Sequence, residues 1–161
     1  MQPRIELLPE KKLVGRSLKM SLANDRTFEL WSGFIPKRKL IKNIAGTDLY
    51  SLQVYSELPD FKKFSPDTQF EKWALVEVTE FEDGLAEFET FLLQAGLYAV
   101  FVHKGTTSDF HKTIKTIYVD WLPGSDYELD DRPHFEVLGE KYKNDHPDSE
   151  EEVWIPVTKA Q

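Results

Sequence analysis

The sequence contains no cysteine, which excludes disulfides, thiolate metal ligands and cysteine nucleophiles together. It has only four histidines, and no two of them stand four residues apart as in a helical zinc site. No G-x-S-x-G elbow, G-x-G-x-x-G turn or phosphate-binding loop occurs, so most familiar enzyme classes have no motif here. The sequence therefore predicts neither a metal nor a cofactor.

Long apolar runs are also missing, and no stretch approaches the roughly 18 apolar residues that a membrane span needs. The N-terminus does not open on a signal peptide, so we expect a cytoplasmic protein. Positive charge is scarce as well. The formal net charge is −8, and the one basic cluster, at residues 37–42, is interpreted as a solvated helix end. This balance argues against direct binding to nucleic acid and is compatible with cationic ligands.

The chain does contain many apolar and aromatic residues. Hydrophobic residues make up 40% and charged residues 30% of 161 residues, which is typical of one folded domain with a real core. The aromatic share of 13% is high for a chain of this size. Aromatic rings fill cores, but they also line pockets for flat organic ligands.

An internal repeat organises the chain. Two short predicted strands at 5–20 are followed by a helical segment and by strands at 49–55 and 73–78. The same order recurs at 88–103, 134–139 and 153–157. The sequence predicts a single domain over residues 1–161 with repeats at about 3–80 and 86–158. The expected fold is α+β, an antiparallel sheet with helices packed on it and a cleft between pseudo-twofold halves.

Each repeat carries an apolar helical face. In the second repeat, apolar residues recur at spacings of four, three and four along the predicted helix, and Ser108 or Asp109 is the expected N-cap. In the first repeat the spacings are three and four, Asn24 or Asp25 is the expected cap, and Pro36 is expected to kink or restart the helix. The residues that define these faces are Phe110, Ile114, Ile117 and Trp121, and Phe28, Trp31 and Ile35.

Glu136 lies in the most informative segment, Pro133–Leu138. Strand alternation places Phe135 and Val137 on one face and Glu136 on the other. If the two apolar residues lie under the helix, Glu136 faces the opposite surface of the sheet. Two interpretations stay open: an exposed strand carboxylate, or a carboxylate in an aromatic pocket whose pKa burial would raise.

The four tryptophans occupy matching positions in the two repeats. Trp31 and Trp121 stand in the helices, and Trp73 and Trp154 stand in the last strands. Symmetrical core packing and a role in a pocket are both compatible with these positions.

Four segments together resemble the GyrI-like domain, which is also the effector-binding domain of AraC- and MerR-type regulators. They are the central strand at 96–105, the post-helix turn at 121–128, the acidic strand at 132–137 and the closing strand at 153–157. The resemblance covers nearly the whole chain and is densest from Gly96 onward. It implies duplicated β-α-β-β units and a central pocket whose acidic residue contacts the ligand.

Carried over residue by residue, the resemblance assigns the acidic residue to Glu136. Leu138 stands where many members have tyrosine. The other positions implied to line the pocket are Trp154, Tyr98, Tyr118 or Trp121, and Trp31 or Phe34. We expect Glu136 on the floor of a cleft between the two halves, touching Trp154 and at least one of Trp31, Tyr118 and Trp121.

Three functions are compatible with the resemblance. The first is binding of hydrophobic, often cationic aromatic compounds, as in drug or effector binding linked to transcription regulation. The second is hydrolysis of cyclopropane-containing DNA alkylators, with Glu136 as general base. The third is interaction with a protein such as DNA gyrase. Because no DNA-binding segment precedes Ile5 or follows Val157, we expect a stand-alone form.

Overall fold

The computed structural model describes residues 1–60, 65–83 and 86–161. Its strands are β1 (Arg4–Leu8), β2 (Lys11–Met20), β3 (Ile44–Tyr55), β4 (Phe70–Val78), β5 (Glu89–Leu93), β6 (Gly96–Lys104), β7 (Tyr127–Leu129), β8 (His134–Leu138) and β9 (Glu150–Lys159). Helix α1 (Thr27–Phe34) continues into a 3₁₀ segment, Ile35–Leu40. Helix α2 (Thr107–Lys115) continues into a π-helical segment, Thr116–Trp121, and a 3₁₀ turn, Leu122–Gly124.

Eight strands form one antiparallel sheet in the order β1-β6-β9-β8-β3-β4-β2-β5, and β7 pairs with the end of β9. The order is symmetrical about the β3–β8 pair, because β1 pairs with β6 and β5 pairs with β2. The predicted α+β fold, an antiparallel sheet carrying helices, is confirmed. The division into one domain with repeats at about 3–80 and 86–158 stays a prediction, and a duplication would produce this strand order.

Both faces of the central strands are buried, so alternate residues enter different cores. In β9, Val153 and Ile155 pack with side chains of α2, whereas Trp154 between them packs in a core on the other face. In β4, Ala74 packs on the α1 side and Trp73 on the far side. The helices therefore cover one face only, with α1 over one half of the sheet and α2 over the other.

Helix α2 begins in a capping box between Thr106 and Asp109, not at Ser108 or Asp109 as expected. The Thr106 hydroxyl accepts a hydrogen bond from the Asp109 backbone, and the Asp109 carboxylate accepts one in return. The predicted apolar face is confirmed, because its members pack together against the sheet: Phe110, Ile114, Ile117 and Trp121.

The buried face of helix α1 differs from the apolar face that the sequence predicts. Its buried residues are Leu30 and Phe34, whereas Phe28 lies exposed on a different side of the helix. The α-helix ends at Phe34, and the chain continues as the 3₁₀ segment with Pro36 at its start, which confirms the predicted interruption. At the N-terminus the Asp25 carboxylate accepts a 2.9 Å hydrogen bond from the backbone N–H of Thr27.

The expected orientation of β8 is corrected. Phe135 lies in the core on the far face, and Glu136 faces the helices. The reason is register: Glu136 is paired with Val153, which packs with α2, so both side chains share the helix-covered face.

The sequence also predicts loops at two polar or punctuated stretches, 59–66 and 144–152, and the structure treats the two differently. Residues 61–64 of the first lie outside the described residues. In the second, β9 already begins at Glu150, so the predicted loop extends too far. Within the ranges that the structure describes, no helix has the length and hydropathy that crossing a membrane requires.

Candidate functional site

A cavity of about 840 Å³ opens on the helix-covered face, between α1 and α2 and above the central strands. Its floor is formed by residues of β3, β4, β8 and β9, so both halves of the chain contribute. Pockets for small organic ligands typically measure about 300–1,000 Å³. The cavity is therefore large enough for a drug-sized molecule.

Glu136 lies on the floor of this cavity with only 9% of its surface exposed. The side-chain amide of Gln53, on the adjacent strand, donates a 3.2 Å hydrogen bond to its Oε1. Burial raises the pKa of Glu136, while the charge of Lys72 and the Gln53 hydrogen bond act in the opposite direction. A cation entering the cavity would find a poorly hydrated carboxylate.

Glu151 of β9 is a second carboxylate in the same cavity. Burial raises its pKa to about 7, and the negative charge of Glu136 adds to the rise, while Lys72 opposes it. Because Glu136 is paired with Val153, Glu151 is its diagonal neighbour on the same face of the sheet. No motif or spacing in the sequence singles out Glu151.

The walls of the cavity are largely apolar. Helix α1 and the 3₁₀ segment supply one wall, α2 supplies the other, and two leucines complete the floor. Phe28 is 86% exposed at the mouth, where it offers an uncovered aromatic face. The apolar and aromatic lining residues are Phe28, Trp31, Ile35, Pro36, Leu49, Phe110, Leu138 and Tyr142.

The structure brings three of the sequence-predicted site residues together in the cavity: Glu136, Leu138 and Trp31. The α1 spacing that singled out Phe28, Trp31 and Ile35 therefore marks the wall of the cavity, since all three line it. Phe110, on the apolar face of α2, lines the same cavity as Phe28 and Trp31. The helix patterns predicted both apolar faces, but they did not show that residues of both faces line one cavity.

Trp154 does not lie beside Glu136, contrary to expectation. It is the cross-strand partner of Phe135, and the two rings stack with centroids 5.2 Å apart on the far face of the sheet. Its indole N–H donates a 3.1 Å hydrogen bond to Glu152. Tyr98 belongs to the same far core, and its hydroxyl donates a 2.8 Å hydrogen bond to the backbone carbonyl of Pro133.

Phe34, Tyr118 and Trp121 also lie outside the lining of this cavity. Phe34 is fully buried under α1. Trp121 stacks on Tyr127 beside a separate depression of about 560 Å³ near the N-terminus. Tyr118 lies on the helix-covered face beside the start of β8, where its hydroxyl is 2.8 Å from Nδ1 of His134.

The neighbouring side chains of His134 and Tyr118 add no positive charge near Glu136. Burial lowers the pKa of His134 to about 3, and the charge of Arg132 adds to the effect, so the imidazole is neutral at physiological pH. Burial raises the pKa of Tyr118, and the charges of Tyr55 and Glu136 contribute. In the described part of the chain, no cluster of three or more histidine or acidic side chains could hold a metal ion.

Comparison with known proteins identifies relatives for nearly the whole chain. The family model described as "GyrI-like small molecule binding domain" matches residues 1–158. The transcriptional regulator BrlR of Pseudomonas aeruginosa is 26% identical over 159 residues. That match covers 98% of this chain and 56% of BrlR, so the chain spans little more than half of its curated relative.

Two solved structures illustrate the shared fold. SAV2435 bound to tetraphenylphosphonium has a TM-score of 0.67 at 18% identity, covering 98% of this chain and 94% of that one. A hydrolase encoded by lin2189 from Listeria innocua has a TM-score of 0.61 at 13% identity, covering 98% and 92%. At these identities the likeness establishes the fold and nothing finer.

Proposed function

The chain belongs to the family of GyrI-like small-molecule-binding domains, and we propose that it binds hydrophobic, cationic aromatic compounds in the cavity around Glu136. The observation that carries this proposal is the buried carboxylate on the floor of an aromatic-walled cavity. BrlR is a regulator and contains a comparable region, so effector binding linked to transcription is part of the proposal.

Two physical terms favour a flat or bulky organic cation over a neutral molecule. Aromatic faces attract a cation by about 0.5–2 kcal/mol per contact, and Phe28, Trp31 and Phe110 present such faces. The Glu136 carboxylate adds a charge-assisted interaction in a place that bulk water reaches poorly. An inorganic cation would gain little from the aromatic walls.

The preference for positive charge also follows from the groups around the cavity. Four carboxylates line it, against the two ammonium groups of Lys72 and Lys143. The four carboxylates belong to Asp25, Glu136, Asp145 and Glu151. SAV2435, which shares the fold, was solved with tetraphenylphosphonium, an aromatic cation of this type.

Fluorescence titration with a rhodamine-type cation and with a neutral aromatic of similar size tests the proposal. Glu136→Gln keeps the shape of the side chain and removes its charge. Since hydrogen bonds to charged groups contribute about 1.5–3 kcal/mol, the variant should weaken binding of the cation by about 10–100-fold and binding of the neutral compound much less. Glu150→Gln is the matched control, because Glu150 lies outside the cavity, 3.8 Å from Lys141. Equal losses for both ligands would contradict the proposal.

Hydrolysis is the second candidate. Gln53 occupies Oε1 of Glu136, which leaves Oε2 able to accept a proton from water, and burial makes the carboxylate a stronger base by raising its pKa. If this holds, a cyclopropane-bearing alkylator is consumed, and the rate falls as pH drops through the pKa of Glu136. Turnover that is unchanged in Glu136→Gln would exclude Glu136 as the base. An interaction with gyrase stays a prediction from the resemblance.

A further inference from the structure

Glu151 is a carboxylate without a partner. Among the residues that the structure describes, it accepts no hydrogen bond and forms no ion pair, although most of its surface is removed from water. Burying a charged group is costly unless it is paired, and a carboxylate left in this state needs either a proton or a cation. Its neighbour Glu136 has only the neutral amide of Gln53.

The groups that face Glu151 do not neutralise it by contact. On β6 its cross-strand partner is His103, whose Nδ1 is engaged with the Thr113 hydroxyl at 2.8 Å. Phe110 of α2 and Tyr142, Asp145 and Ser149 of the loop before β9 line the same cavity. Lys72 and Lys143 also line it, and neither forms an ion pair with a described carboxylate. The cavity therefore keeps an excess of negative charge that its own lysines do not cancel through direct pairs.

The spacing of the two carboxylates suits two separate positive charges. Diagonal neighbours on adjacent antiparallel strands have backbones about 7–8 Å apart, and their side chains diverge or converge from there. One compact cation held against Glu136 would leave Glu151 without a partner. A molecule with a second cationic centre a few bonds away reaches both carboxylates from within the aromatic walls.

We propose that the preferred ligands of this cavity are aromatic dications, with one charge held by Glu136 and the second by Glu151. This inference rests on the proposed function and adds the ligand's second charge to it. Glu151 is then a residue that determines specificity, whereas Glu136 is required for mono- and dications alike.

Ethidium and propidium provide a matched pair of probes, since they share one cationic ring system and propidium adds a quaternary ammonium on a short arm. Wild-type protein should bind propidium about tenfold more tightly than ethidium, as expected for one additional charge-assisted contact. Glu151→Gln should remove most of that difference, because it should weaken propidium binding several-fold more than it weakens ethidium binding. Glu150→Gln, one residue away on β9 and outside the cavity, should behave as wild type.

The pH dependence of dye binding supplies a second readout. Because the pKa of Glu151 is about 7, its proton should compete with the second cation, so the propidium preference should grow between about pH 6 and about pH 8. The preference should not change with pH in Glu151→Gln. Both readouts use the full chain, and thermal unfolding of each variant verifies that it is folded.

The outcomes separate the two proposals. Weakening of both dyes in Glu136→Gln, together with equal effects of Glu151→Gln on the two dyes, would overturn the second carboxylate's role and leave the proposed function standing. Dye affinities that do not respond to Glu136→Gln, or no binding of either dye by wild type, would overturn the proposed function and this inference with it. A wild-type preference for ethidium would overturn the inference alone.

Discussion

Replacing Glu151 with glutamine should stabilise the ligand-free protein at alkaline pH. Burial raises the pKa of this carboxyl from 4.5 to about 7, and Glu136 adds to the rise. A carboxyl with a higher pKa in the folded state stabilises the fold below its unfolded pKa, and that contribution is lost as pH rises through the folded value. At about 1.4 kcal/mol per pKa unit, the loss between about pH 4.5 and about pH 7 is roughly 3 kcal/mol.

Glutamine imitates the protonated carboxyl at every pH, so Glu151→Gln should avoid that loss. Urea unfolding, followed by the fluorescence of the four tryptophans, measures the free energy of unfolding of both proteins at several pH values. The variant should match wild type at about pH 4 and exceed it by up to about 3 kcal/mol at about pH 8. Glu150→Gln should change stability by less than about 0.5 kcal/mol, because its pair with Lys141 is exposed. Parallel pH profiles for wild type and Glu151→Gln would refute the desolvation argument.

Three further substitutions probe the fold and the cavity wall. Gly15→Ala should destabilise the sheet and lower the Tm in a circular-dichroism melt, because an added Cβ would overlap the backbone carbonyl of Ala74. Phe135→Ala should cost about 3–5 kcal/mol in urea unfolding, because it removes a fully buried ring that stacks on Trp154. Phe28→Ala should change stability by less than about 0.5 kcal/mol but weaken a cationic dye several-fold in titration, because Phe28 lies exposed at the cavity mouth.

Local patterns in the sequence were sufficient for the elements and for the fold class. The spacing of Phe110, Ile114, Ile117 and Trp121 predicted a helical face that the structure contains. Pro36 predicted the end of the first α-helix. These features depend on backbone geometry within a few residues, which is why a single sequence reveals them.

The residues that line the site could not be predicted in the same way, because they depend on which strands pair. Alternation separates Phe135 from Glu136, but it cannot say which face the helices cover when both faces are buried. Trp154 was assigned to the pocket through its resemblance, yet its pairing with Phe135 directs it to the far core. Glu151 lies in the polar stretch 144–152, for which the sequence predicts a loop, and only its place on β9 beside β8 reveals it as a cavity residue.

The central claim is that the cavity selects positive charge and not merely bulk and aromaticity. Tetraphenylphosphonium and tetraphenylborate have nearly the same size and shape and opposite charges, so isothermal titration calorimetry of both ligands against the wild-type protein isolates the sign of the charge. The buried carboxylate of Glu136, in a cavity lined by four carboxylates and two lysines, predicts binding of the phosphonium and an affinity for the borate at least about 100-fold weaker. Equal affinities, or tighter binding of the borate, would contradict the account.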